Sequence, residues 1–379
     1  MSCFRWGLVV TIGLFISPVP IRSGSLGSEP ERLAIYYGYP SLVNGSQGDV
    51  EKASSVFSTY DVVVLGDGIE FPDQRADRHP GGDPEEHQKA VQIIAAVHRR
   101  NPGTRFFGYI CLGEMPSQKR EKAVLSLEEL EERTRLWKQM GVAGIFVDEA
   151  GYDFSVVTRK RQNLAVALIH RLGLSAFMNA YFLEHLFSVE ENLPYANGSD
   201  KNPEHLPPLL DGRDLFLLES FQVKNGTYES TAAWKTRLSR AIAYRHRHGV
   251  HLFSTTTTEL HQPFDDEKFT YAWWTARLYG FDGFSWGEPD FAALSNSLPD
   301  RRCQMARATL PVVLAPSPVS WDRERLWKRA GNSVFVVNTA DHSVRILPLT
   351  GSVESKGIAE LLRSPQNAGS RITCGGTHE

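Results

Sequence analysis

Cysteine is scarce in this chain. Four of its 379 residues are cysteine (Cys3, Cys111, Cys303 and Cys374), and none share a C-x-x-C spacing. That pattern offers neither a disulfide framework nor a zinc site, and Cys111, inside an apolar run, reads as a packed thiol. Positive charge is not in excess either. The 41 Lys and Arg stand against 44 Asp and Glu, a formal charge of −3, so a nucleic-acid partner has no electrostatic footing. No apolar run is long enough for a stable membrane span. A Gly-rich phosphate loop is missing after the first strand-like run, where Tyr37-Gly38-Tyr39-Pro40 stands instead. This disfavours a doubly wound nucleotide-binding sheet.

The first residues do carry a short apolar stretch. Arg5 precedes Trp6 to Ile16, and Ser17, Pro18 and Pro20 break the run. Residues 1–28 therefore read as an export leader, which implies a secreted or extracytoplasmic protein. A loose N-terminal tail is the other reading.

From Leu33 to Asp290 the pattern alternates between short branched or aromatic runs and amphipathic stretches. Strands are expected at 33–38, 61–67, 104–111, 145–147 within the stretch 141–153, 174–179, 215–219, 251–255 and 283–287. Helices are expected between them, notably 84–100, 126–140, 159–172, 231–248 and 266–279. The helix punctuation is explicit. Pro84-Glu85-Glu86 opens one helix, Ser126-Leu127-Glu128-Glu129 spells a capping box on a second that Gly141 closes, and Gly173 closes a third. Eight such alternations predict an α/β fold, a (β/α)8 barrel over residues 30–303. Residues 304–350 predict a small β appendage with a hairpin near 332–347. Residues 351–379, polar with few apolar anchors, predict a disordered tail.

The acidic residues are placed with unusual regularity. Asp67, Glu114, Asp148, Glu149 and Glu219 fall at the predicted C-terminal strand ends, Glu288 follows the last strand, and Asn179 ends the fifth. In a parallel barrel that end is the mouth, where active sites sit. Like charges crowded there push one carboxyl group towards holding its proton while another stays ionised. Such a pair is what glycosidic cleavage requires. Tyr37, Tyr109 and Trp286 add aromatic faces on which sugars stack. Asp148, Glu149 and Glu219 are thus the candidate catalytic residues. Tyr37, Asp67, Tyr109, Glu114, Asn179, Trp286 and Glu288 are the candidate substrate-binding residues. Adjacent residues on a strand face opposite ways, so only one of Asp148 and Glu149 is expected to face the axis. Neither a metal nor a cofactor is called for. The carboxylates could hold Mg²⁺ for a lyase or aldolase, but no Lys or His base stands at a neighbouring strand end.

Four stretches in this order, Phe107-Gly108-Tyr109-Ile110, Ala143 to Glu149, Met178-Asn179 and Leu218-Glu219-Ser220, resemble the spherulin-4-like glycoside hydrolases and the related polygalactosaminidase barrels. The resemblance implies a (β/α)8 hydrolase, acting endo on alpha-linked galactosamine polymers, with Asp148, Glu149 and Glu219 as the acids tied to activity. It covers the barrel only. The segments 114–124 and 181–214 depart from the family pattern, which leaves the substrate more open than the reaction. A catalytically silent barrel that binds or scaffolds cell-surface glycan is the alternative.

Overall fold

The computed structural model describes residues 29–66, 68–73, 83–115, 123–190, 200–303, 314–315, 317–349, 357–358, 360, 362 and 369–374. The expected leader lies outside them. Eight strands, β1 (Glu31–Tyr36), β2 (Val62–Leu65), β3 (Arg105–Cys111), β4 (Gly144–Asp148), β5 (Ser175–Asn179), β6 (Leu215–Leu218), β7 (His251–Thr255) and β8 (Gly283–Ser285), close in sequence order into a barrel. Neighbouring strands are parallel throughout, β8 against β1 included. Between successive strands run α1 (Val50–Phe57), α2 (Pro84–Arg100), α3 (Leu127–Gln139), α4 (Arg159–Arg171), the short α5 (Glu184–Phe187), α6 (Thr231–His248) and α7 (Asp266–Leu278). Where an eighth helix would follow β8, the described residues make the 3-10 turn Pro289–Ala292.

The Ser126–Glu129 box is closed in both directions, and Gly141 and Gly173 have positive φ, as the sequence suggests. Asp83, accepting from the Glu85 and Glu86 amides ahead of Pro84, and Gly249, ending α6 in the left-handed region, add caps that were not anticipated. Alternate strand residues fill the barrel. Leu33, Ile35, Val64, Phe107, Phe146, Phe177, Leu217 and Phe253 pack into one inner cluster, while the opposite faces meet the helices.

The barrel floor uses one device three times. Asp61, Asp214 and Asp282 each stand one residue ahead of a strand. Each accepts the main-chain N–H of Arg32, Ala176 or Leu252 on the preceding neighbour, at 2.7–2.9 Å. His170 and the Asp211 amide also bind Asp214. The grouping His170–Asp211–Asp214 therefore ties strands together at the end opposite the mouth.

The C-terminal region forms an antiparallel sheet of β9 (Ser320–Asp322), β10 (Arg325–Ala330), β11 (Ser333–Asn338), β12 (Val344–Pro348) and β13 (Ser370–Ile372). The β11–β12 hairpin was expected. β10 was not, because Arg325, Lys328 and Arg329 mask its alternation. The sheet lies on α7, where Phe335 stacks on Trp274 at 4.6 Å and Lys328 donates to the Leu278 carbonyl.

Two expectations fail here. Residues 351–379 are not wholly without structure, because β13 pairs with β12 through Val344, Arg345 and Ile346. The cysteines are not all unpaired either, because Cys303 and Cys374 form a disulfide across 71 residues. Cysteines this far apart in sequence carry no spacing signal, and only the return of the chain across α7 brings them together. Among the described residues no helix is long and apolar enough to cross a membrane.

Candidate active site

At the mouth, strand parity selects which side chains meet. Tyr37, Tyr109, Asp148, Asn179 and Glu219 continue the inward-facing positions of β1, β3, β4, β5 and β6. Asn179 is the centre of the group and is 9% exposed. Its Nδ2 donates to Asp148 Oδ1 at 2.9 Å and to Glu219 Oε2 at 3.0 Å. Two oxygens sharing one amide nitrogen lie within about 6 Å of each other, twice a hydrogen-bond length. The Tyr109 hydroxyl donates to Asp148 Oδ2 at 2.9 Å, so both Asp148 oxygens are held. Burial first, and then the Asp148 charge, push the Tyr109 phenol far above its usual range, so it stays a donor. Tyr37 packs edge-on against Tyr109 at 5.3 Å and tilts against Phe291 at 5.5 Å.

The two carboxyl groups differ in environment. Burial raises the Glu219 carboxyl above the ordinary glutamate range. The hydrogen bond from Asn179 and the charges of Arg237 and Lys224 oppose that shift, and the Asp148 charge adds to it. Arg237, on α6, also donates to the Glu219 carbonyl oxygen and lies over the Tyr181 ring at 5.0 Å. A half-buried glutamate whose carboxyl is raised above its ordinary range thus stands beside a tethered aspartate.

Glu149 is placed differently. Its φ is +50°, in the left-handed region, and its Oε2 accepts from the Cys111 thiol at 3.1 Å. A Cβ on Gly113 would stand 2.5 Å from that same oxygen, so glycine leaves the space that Glu149 fills. Burial and the Glu149 contact raise the Cys111 pKa, which keeps the thiol a donor and fits its reading as packed and inert.

The remaining candidates do not join this group. Asp67 and the Glu114 side chain lie outside the described residues. Glu288 pairs with Arg301 at 2.8 Å. Trp286 is 7% exposed and sits between Phe264 and Phe269, on the opposite parity of β8. Glu70 is fully buried and binds Arg133 Nε at 2.5 Å. Arg133 in turn donates to the Tyr109 carbonyl and lies over Phe71, so this ion pair supports the β3 end of the site. Replacing Arg133 by Met removes the cation from this buried pair. Chemical denaturation is expected to show a loss of about 3–5 kcal/mol, and an unchanged midpoint would contradict the pairing.

Two residues were missed in the sequence. Arg237 lies on an apparently solvated helix face, and nothing in its spacing marks it. The run Gly283-Phe284-Ser285-Trp286-Gly287 has the spacing of a serine-hydrolase elbow. Ser285, however, lies within β8 without a left-handed turn, and its hydroxyl donates to the Trp286 carbonyl.

No protein-family profile and no curated protein matches the chain. Among solved structures it is similar to the glycoside hydrolase domain of PelA from Pseudomonas aeruginosa. That match has 16% identity and a TM-score of 0.41, over 71% of this chain and 99% of that one. It is also similar to an endo-beta-1,4-glucanase from Xanthomonas axonopodis pv. citri, with 10% identity and a TM-score of 0.42 over 69% and 91%. A putative dihydrodipicolinate synthetase from Pseudomonas aeruginosa gives 10% identity and a TM-score of 0.34 over 68% and 70%. Overlaps this partial carry nothing about chemistry, which rests on the side chains at the mouth.

Proposed function

We propose that the chain is a retaining glycoside hydrolase acting on a polysaccharide, with Glu219 as acid and base and Asp148 as nucleophile. The observation that carries this reading is the Asn179 amide shared by both carboxyl groups. Carboxyl groups about 5–5.5 Å apart suit direct attack on the sugar, whereas about 6.5–9.5 Å leaves room for a water between acid and base. A shared donor favours the shorter spacing.

The steps follow from the placement of the two carboxyl groups. The Glu219 proton passes to the glycosidic oxygen as that bond breaks, and an Asp148 oxygen bonds to the anomeric carbon. Glu219, now ionised, takes a proton from water, and the water oxygen displaces Asp148. Tyr109 and Asn179 hold Asp148 along the attack line. Glu149, turned onto Cys111, is assigned no step.

A galactosamine polymer is the proposed substrate class. The four motifs resembling the polygalactosaminidase barrels support it, as does an acidic mouth that attracts ammonium groups. The Asn179 Oδ1 is buried with no partner among the described residues, so a substrate hydroxyl or ammonium would satisfy it. Export is proposed on the apolar leader and the disulfide, which suits an oxidising compartment.

The test is reducing-end release from a polysaccharide panel that includes galactosamine polymers with and without acetyl groups, run with and without chelator. NMR then follows the first anomer formed. Chelator-insensitive release with retained configuration is the expected result. An inverted first product removes Asp148 as nucleophile. A folded protein that binds glycan and cuts none of it is the silent binder instead.

A further inference from the structure

On the mouth side of the barrel lies a cleft of about 230 Å³, lined by Gly226, Thr258, Gln262, Phe264, Lys268 and Trp286. We infer that this cleft is a remote saccharide subsite that takes one pyranose ring of a chain cleaved at Glu219. The inference rests on the hydrolase reading for its substrate class, but its geometry is independent of it.

The cleft is on the mouth side, because every segment lining it follows the C-terminal end of β6, β7 or β8. It is also wired to the acid. Ser220, next to Glu219, shares a 2.9 Å hydroxyl contact with Thr257. Thr257 in turn accepts from the Asn225 amide through its hydroxyl and from the Gly226 amide through its carbonyl, at 3.0 and 2.8 Å. Thr258, the next residue, is already a cleft wall. The 223–228 hairpin thus links the segment after Glu219 to this opening through hydrogen bonds.

The lining has the two-sided chemistry that a sugar ring presents. Its floor is aromatic, with Trp286 fixed edge-to-face by Phe264 at 5.3 Å and Phe269 at 6.1 Å. The Trp286 indole N–H donates to no group among the described residues. The rim is polar. Lys268 pairs with Asp265 at 3.0 Å, and Gln262 stands exposed beside the hairpin turn. A pyranose offers apolar C–H faces to an aromatic ring and hydroxyls at its edge to such a rim. The volume is below the roughly 300–1,000 Å³ of pockets for whole drug-sized ligands, as suits a single ring. Gly226 is part of the construction. Its φ is +69°, in the left-handed region that favours glycine, and the Gln262 amide lies against its Cα.

The experiment is a binding titration with Glu219→Gln protein, which holds substrate without cutting it. The probes are alpha-linked galactosamine oligosaccharides of two to eight units, free and N-acetylated. Affinity is expected to rise once the chain is long enough to reach Trp286. Trp286→Ala should reduce the long-to-short affinity ratio by roughly 3- to 10-fold, the range of one aromatic contact. Gln262→Trp, which fills the cleft from an exposed position and spares the core, should do the same. An unchanged ratio in Gln262→Trp overturns the subsite, as does binding with no length dependence. If both variants lower the ratio but native protein releases no reducing ends, the cleft stands and the hydrolase reading fails.

Discussion

Glu219→Gln is expected to lower kcat by about 10²- to 10⁴-fold, the usual contribution of a positioned proton donor. The loss should fall on kcat more than on KM, because the amide still accepts from Asn179 and leaves the binding groups in place. Stability should move the other way. Burial raises the folded-state pKa of Glu219, so the folded protein binds more protons than the unfolded chain at pH values between the two pKa values. Its contribution to stability is therefore lost as pH rises from the unfolded glutamate value through the folded one. Above that window the native protein carries an unfavourable buried charge that the Gln variant lacks. Thermal melts near neutral pH should show the variant as stable as native or more so. Under the proposed assignment, activity of the native protein should decline on its alkaline side as Glu219 loses its proton, above the ordinary glutamate pKa. A variant that loses activity because it melts earlier would falsify the acid assignment and make Glu219 a structural residue.

Replacing both Cys303 and Cys374 by Ser is expected to cost about 4 kcal/mol, the chain-entropy value for a closed loop of this length. The disulfide joins the segment leaving the barrel to the stretch after β13, and the Cys374 amide also donates to Thr270 on α7 at 2.8 Å. Without the link, β13 loses its anchor and the sheet covering Trp274 can part from α7. Denaturant titration should give an earlier midpoint or two separate transitions, and reductant should do the same to native protein. A single transition at the native midpoint in both experiments would show that the link is not formed or not needed.

Most of the barrel could be read from residue order, because each element is announced locally. Pro84 starts α2, the Ser126 box starts α3, and Gly141 and Gly173 follow the ends of α3 and α4. Each short apolar run sits between turn residues, so β7 and the helices α2 and α6 fall on the expected residues. Alternation along the strands also anticipated that Asp148 and Glu149 would part company. The C-terminal sheet was legible only where its apolar pattern was clean, in β11 and β12. α7 offered a clue that was passed over. Its aromatic residues occur on all sides, and a helix apolar all round must be covered on both faces.

Carboxylates at the strand ends are a property of the sequence, since chain direction puts every strand's C-terminal end on one face. Which of them form a site is not. That depended on the barrel closing, which brings Asn179 between Asp148 and Glu219 while Arg301 takes Glu288, Arg133 takes Glu70 and Phe264 and Phe269 enclose Trp286. The disulfide partners and the cleft beside the mouth belong to the same class. Local sequence encodes torsions and periodicity. Pairing between residues tens of positions apart is set by packing, which exists only once the chain has folded.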